Sequence, residues 1–142
     1  MSYVVDASVV VAWFIPGEPW SVKARRLRDN YVDGRVKLYA PSILIYELNN
    51  SLWKAVRRSL MSVDTALACV EAFSKISPEL IQLDFSRQLE ALKIASEEDV
   101  SFYDSAYIVT ARATSSTLVS ADSDMISVAR KYVSVTPVSD LS

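Results

Sequence analysis

Four acidic residues stand where short apolar runs give way to helical ones. Asp6 follows Tyr3-Val4-Val5, Glu47 lies a few residues beyond Val36–Ala40, Asp104 falls within Phe102-Tyr103-Asp104-Ser105-Ala106, and Asp122 comes just after Leu118-Val119. Carboxylates gathered at one place repel one another unless a proton or a cation neutralises them. An all-oxygen group of this kind suits Mg²⁺ or Mn²⁺. Mg²⁺ keeps several waters and binds phosphate oxygens beside one or two carboxylates, which points to a phosphate-containing substrate. A divalent ion there can acidify a water and offset charge in the transition state, and a second ion could steady both the attacking and the leaving oxygen.

Composition narrows the chemistry further. The 142 residues contain no histidine, which removes Ser-His-Asp triads, Cys-His dyads and His-containing zinc sites. The single cysteine, Cys69, excludes a disulfide framework and a Cys-only zinc site, and fits a reducing compartment. Fifteen basic against seventeen acidic residues leave a net charge of −2, which weighs against a protein that coats duplex nucleic acid. No apolar run reaches membrane-spanning length, and the N-terminus lacks the pattern of a secretory leader. The expectation is one soluble, cytoplasmic domain over residues 1–142, with no membrane partner.

The elements that must position the acids follow from pattern. Met1–Val5, Val36–Ala40, Leu80–Leu83, Thr117–Ser120 and Tyr132–Thr136 read as short strands. Between them, helices are expected over Ala7–Phe14, from Glu18-Pro19 towards Asn30, and from Pro41-Ser42, with Ser42 as cap, to near Leu60. Further helices are expected after Ser62, over Ser86–Ser96, over Ser101–Ala113 and over Asp122–Lys131. Leu44, Leu48, Leu52, Val56 and Leu60 share one side of the long helix, opposite Glu47, Asn50, Lys54, Arg57 and Arg58. Val63, Leu67, Val70 and Phe73 are expected inward in the next helix, and Leu89 and Leu92 in the one after. Apolar strands alternating with helices predict a three-layer α/β/α domain around a parallel sheet of about five strands. Ligands of such sheets bind beyond the carboxyl ends of the strands, the rim to which these acids converge.

Each acid also has a purely structural use. Asp6 and Asp122 can cap the helices that follow them, and Ser101 with Asp104 matches a capping box. Asp124 can complement a helix dipole, and Glu47 can be a solvated helix residue. These uses explain the residues singly but not their convergence on one rim. Nor do they explain Asp6 embedded among Val4, Val5, Ala7, Val9 and Val10, where an unpaired charge is costly.

Taken in order, the motifs resemble those of PIN-domain ribonucleases, specifically the VapC toxins of VapBC toxin–antitoxin pairs. The resemblance rests on Val4-Val5-Asp6-Ala7-Ser8, Pro41 through Glu47-Leu48-Asn49-Asn50, Tyr103-Asp104-Ser105-Ala106-Tyr107, and Leu118-Val119-Ser120-Ala121-Asp122, and covers essentially the whole chain. It implies that Asp6, Glu47, Asp104 and Asp122 form the acidic quartet around Mg²⁺ or Mn²⁺, with Ser8 and Asn50 supporting it by hydrogen bonds. Ser120 stands where threonine is common and keeps the hydroxyl. Asp124 adds an acid beside Asp122, of which Asp122 is the favoured ligand. The resemblance further implies endonucleolytic cleavage of RNA and a small antitoxin lying over the cleft. A homodimer is expected from the residues themselves: Trp13, Phe14, Trp20 and Trp53 cannot all be central core in so small a domain without leaving apolar faces on the helices.

The acids do not attract RNA, so a phosphate grip must come from Lys54, Arg57 and Arg58, or from Lys23, Arg25, Arg26 and Arg28; a solvated helix face is the plain alternative for both. Trp13, Trp20 and Tyr46 are candidates to stack bases, with core or partner-facing roles favoured for Trp13. Other readings are a PIN-domain RNA-processing nuclease without an antitoxin and a catalytically silent binding module of the same fold. A haloacid-dehalogenase-like phosphatase is disfavoured because Ser8 stands where it needs a second Asp. A response-regulator receiver is disfavoured because the acidic pair near the first strand is missing.

Overall fold

The computed structural model describes residues 1–142. Its strands are β1 (Ser2–Val5), β2 (Lys37–Pro41), β3 (Glu79–Ile81), β4 (Thr117–Ser120) and β5 (Val135–Pro137). All pair in parallel, in the order β3-β2-β1-β4-β5. The chain runs from β1 outward through β2 to β3, then returns to β4 on the other side of β1. The strand order therefore reverses between β1 and β4, which opens a crevice at their carboxyl ends.

Seven helices cover the sheet: α1 (Ala7–Phe14), α2 (Ser21–Val32), α3 (Leu44–Arg57), α4 (Val63–Ile76), α5 (Phe85–Glu98), α6 (Phe102–Ala113) and α7 (Ser123–Ala129). Strand side chains alternate between the two faces. Tyr3, Val5, Leu38, Ala40 and Val119 join buried residues of α1 to α4 in one core. Val4 and Leu118 join Ala91, Ile94, Tyr107, Ile108, Met125 and Ala129 of α5 to α7 in the other. The three-layer α/β/α architecture with five parallel strands is thus as the sequence predicts. No helix is long and apolar enough to cross a membrane.

The central strands explain the continuously apolar runs: Val4, Val5, Leu118 and Val119 are completely buried, because helices press on both faces. Each such side chain contributes roughly 1.5–3 kcal/mol of burial free energy. Helix α6 lies deepest, with every residue from Ser105 to Ala111 buried. It packs against α5 and against β1, β2 and β4, which holds its first turn at the crevice. Its buried serine and threonine hydroxyls are satisfied locally, Ser105 donating to the Phe102 carbonyl and Thr110 to that of Ala106.

Several expectations are corrected. Ser42 does not cap α3; its hydroxyl and backbone N–H both go to the Ile81 carbonyl, tying β2 to β3, and the helix begins two residues later. Helix α2 begins at Ser21, after a turn, rather than at Glu18-Pro19. In α4, Phe73 is buried but Val63 and Leu67 face outward, while Ala66 and Cys69 fill the inner face. In α5, Leu89 and Leu92 are exposed and Ala91, Ile94 and Ala95 are buried. Small residues win these inner positions because they let the helix approach its neighbours closely. Leu60 lies beyond the end of α3 and is exposed. Ser62 and Ser101 cap α4 and α6, accepting from Thr65 and Asp104 N–H groups at 3.1 and 3.0 Å.

Candidate active site

Asp6 is the anchor of the rim. It ends β1, caps α1 and is only 5% exposed. Its Oδ1 accepts from the Ser8 hydroxyl and from the Val9 N–H at 3.3 Å, and its Oδ2 accepts from the Ser120 hydroxyl. A carboxylate offers about four acceptor positions, so one remains open, on Oδ2. The two serines are themselves held by β4 and the turn after it. Ser8 Oγ accepts the Ala121 N–H and Ser120 Oγ accepts the Asp122 N–H, both at 3.0 Å. The network spans the crevice between β1 and β4.

Asp122 caps α7, its Oδ1 accepting from the Asp124 and Met125 N–H groups at 2.9 and 3.3 Å. Asp124 lies exposed in the first turn of α7. Asp104 is half-buried in the first turn of α6, and Glu47 half-buried near the start of α3. Glu47 Oε1 accepts the hydroxyl of fully buried Tyr107 at 2.7 Å. Tyr107 was not singled out from sequence as Glu47's partner. The available signal was its place three residues after Asp104, on the same side of one helix. Asn50 is exposed and makes no side-chain hydrogen bond, so of the two expected supporting residues only Ser8 supports a carboxylate through the chain.

The electrostatics bind these groups together. Burial, opposed by the serine bonds and assisted by the charge of Asp122, pushes Asp6 up to about 6. Burial and then the Asp122 charge raise Asp104. Burial and then the Asp104 charge raise Glu47, against the lowering effect of Tyr107. Tyr107 is driven far above the ordinary tyrosine range by burial and by Glu47, Asp6 and Asp104, so it stays a neutral donor. The acids thus sense one another as a row: Asp6 with Asp122, Asp122 with Asp104, Asp104 with Glu47. None of the four is in an ion pair with Lys or Arg.

This row is not a closed metal cage. No group of three or more His, Cys, Asp or Glu side chains is placed to hold a metal ion. The donor set is all oxygen, partly open to solvent and without a protein counter-cation. That fits a hard, hydrated cation held by one or two carboxylates at a time.

The proposed phosphate grips differ. Lys54, Arg57 and Arg58 are exposed, free of ion pairs, and line a cavity of about 230 Å³. The Arg57 guanidinium lies over the Trp53 ring, 5.1 Å from its centre. In the other cluster, Lys23 donates to the Ser139 carbonyl and Arg28 pairs with Asp29 at 2.9 Å. Trp13 is core, its indole N–H donating to the Ala24 carbonyl at 3.0 Å, whereas Tyr46 is exposed. Trp20 is half-buried and donates to the Ser8 carbonyl at 3.4 Å, close to the acids.

A five-stranded parallel sheet with acids gathered beyond the carboxyl ends of its strands is what the sequence motifs anticipate. The PIN-domain family matches residues 3–131, and the chain belongs to it. Among curated relatives, Ribonuclease VapC3 of Pyrobaculum aerophilum is 31% identical over 123 residues, covering 86% of this chain and 90% of that protein. Exonuclease VapC9 of the same organism is 28% identical over 135 residues, covering 95% and 91%. Among solved structures, VapBC2 of Rickettsia felis, bound to a DNA fragment from its promoter, superposes with a TM-score of 0.70. It covers 96% of this chain and 98% of that one at 13% identity, a likeness of fold.

Proposed function

We propose that this protein is a Mg²⁺- or Mn²⁺-dependent endoribonuclease, the toxin of a toxin–antitoxin pair. The observation that carries the reading is the row of unpaired carboxylates around a buried, doubly serine-bonded Asp6 at the sheet's switch point. The VapC relatives, one named a ribonuclease and one an exonuclease, support hydrolysis of phosphodiester bonds. The likeness to a VapBC complex supports an antitoxin partner, which would cover the cleft.

Asp6, Asp104 and Asp122 are the carboxylates that would hold the ion, one or two of them at a time, with Glu47 beside them. When bound, the ion would activate water and offset phosphate charge. The chain's own groups set the rest. Ser8 and Ser120 fix the plane of the Asp6 carboxylate and leave one Oδ2 position free. Tyr107 fixes Glu47 through Oε1, which leaves Oε2 to act on the substrate side. Asp6 or Asp104, both raised chiefly by burial and further by the charge of Asp122, would help accept the proton of the attacking water. Lys54, Arg57 and Arg58 would bind backbone phosphates along the polar face of α3, the face that also carries Glu47. From Glu47 to Arg58 that stripe extends roughly 16 Å at 1.5 Å per residue.

The test is incubation of the purified protein with single-stranded RNA, with Mg²⁺ or Mn²⁺ and with excess EDTA. Cleavage with either ion and none in EDTA supports the reading. Full activity in EDTA would remove the metal from the mechanism.

A further inference from the structure

A second concavity opens at the carboxyl ends of β2 and β3 against the first turn of α6, with a volume of about 270 Å³. Its walls are Pro41 and Ile81 at the carboxyl ends of β2 and β3, the amides of Gln82 and Gln88, and Phe102 and Tyr103 on the first turn of α6. We propose that this pocket seats one unpaired nucleobase of the RNA, next to the scissile phosphate, and so sets where the strand is cut. The proposal rests on the reading of the chain as an RNA nuclease.

Position is the first argument. Tyr103 immediately precedes Asp104, so the pocket wall and a catalytic carboxylate share one helical turn. A strand whose phosphate lies at the acids places an adjoining base within reach of the pocket. Chemistry is the second. No lining residue is charged, so a phosphate or a charged side chain would find no counter-ion there. A base instead needs apolar or aromatic faces to stack on and a few polar groups at its edge. Phe102 and Tyr103 are 39% and 56% exposed, available for stacking. The Gln88 amide gives one N–H to the Leu83 carbonyl at 2.9 Å and keeps its oxygen and second N–H; the side-chain amide of Gln82 has no partner within the chain. Size is the third. Sites for drug-sized ligands span about 300–1,000 Å³, so this smaller space suits a single heterocycle.

The arrangement divides the work of binding. The cations of α3 meet phosphates regardless of sequence, and the uncharged pocket reads one base.

The experiment uses a short single-stranded RNA in which an abasic residue is moved through every position. Binding is measured by fluorescence anisotropy in EDTA and cleavage in Mg²⁺, for wild type, Phe102→Leu, Phe102→Trp and Gln82→Ala, each checked by thermal melting. At one position next to the cut, the abasic residue should weaken wild-type binding about tenfold, within the range of base–aromatic stacking. Phe102→Trp should retain that effect. Phe102→Leu, which keeps an apolar wall but not an aromatic one, should lose it. Gln82→Ala should blunt the preference among bases at the same position. Equal wild-type affinity for every abasic strand overturns the proposal, as does a Phe102→Leu variant that behaves like wild type. So does a change confined to self-association by sedimentation, which would assign the pocket to a second copy of the chain. The position effect without cleavage would remove the nuclease reading and keep the pocket. Cleavage without it would keep the nuclease and remove the pocket.

Discussion

Ser120 donates its hydroxyl to Oδ2 of Asp6 across the β1–β4 pair, and Ser120 Oγ in turn accepts the Asp122 N–H at 3.0 Å. One small side chain thereby orients one candidate metal ligand and positions the backbone of another. Ser120→Ala should destabilise the protein by about 1–3 kcal/mol, the range for stranding a buried polar partner. Because this bond lowers the Asp6 pKa, the loss should be larger at pH 8 than at pH 5 in metal-free protein. Ser120→Thr, which keeps the hydroxyl, should behave like wild type. Urea unfolding at the two pH values measures both.

Asp6 carries the pH dependence of the metal-free fold. Its folded pKa, about 6, lies above the reference value of 3.8. Between those values the native state binds more protons than the unfolded state, so stability falls as pH rises. The full penalty is present above about pH 6, on the order of 3 kcal/mol for Asp6. Glu47 and Asp104, also raised, act in the same direction. Asp6→Asn removes the charge, and its amide can be satisfied if Ser120 reverses its hydroxyl. In EDTA the variant should melt above wild type at pH 8, with the gap closing towards pH 5. A variant that melts lower at pH 8 would make Asp6 chiefly a structural hydrogen-bond acceptor. Mutual repulsion alone suggests the same raised pKa values, but burial is the larger cause at each of these three residues, so the effect should persist at high salt.

Mg²⁺ should reverse this penalty by binding the native state only. At a hundred times its dissociation constant it adds about 2.7 kcal/mol. Thermal melting across a Mg²⁺ titration should rise for wild type and much less for Asp6→Asn.

Tyr107→Phe tests positioning rather than acid chemistry. The ring stays in the core, and only the 2.7 Å bond to Glu47 is lost. The Glu47 pKa should rise, since that bond lowers it. RNA cleavage should fall about tenfold, with its pH profile shifted upward. An unchanged profile would separate Glu47 from the reaction.

Much of the rim was legible because a buried strand ending in an acid is a local pattern, as at Val4-Val5-Asp6 and Leu118-Val119-Ser120-Ala121-Asp122. The caps at Ser62 and Ser101 were equally local. The phase of α4 and α5 was not, because both helices carry apolar residues on two sides. Bulk favours Leu67, Leu89 and Leu92 as core, while close packing selects Ala66, Ala91 and Ala95. The bond from Tyr107 to Glu47 joins residues 60 positions apart and depends on how α3 and α6 meet over the sheet. Ser42 looked like a cap because its partner, the Ile81 carbonyl, comes from a strand 39 residues away.

The outward leucines leave apolar surface on α5, together with Phe85. Such patches mark interfaces, and a two-fold dimer is the commonest assembly. Sedimentation at micromolar concentration should give twice the 15.8 kDa chain mass. A monomer under those conditions would contradict the dimer.

The central claim is that four carboxylates on one rim act as a single hydrolytic site. Its most direct test is RNA cleavage by Asp104→Asn in saturating Mg²⁺, with melting as a control on folding. Asparagine retains the size of the side chain, and the Ser101 cap is made to the backbone N–H of residue 104, so the helix start should survive. The account predicts an intact fold and a loss of roughly 10²–10³-fold in rate, the scale for removing one preorganised electrostatic group. Wild-type cleavage by this variant would make Asp104 a first-turn helix residue only and contradict the site as drawn.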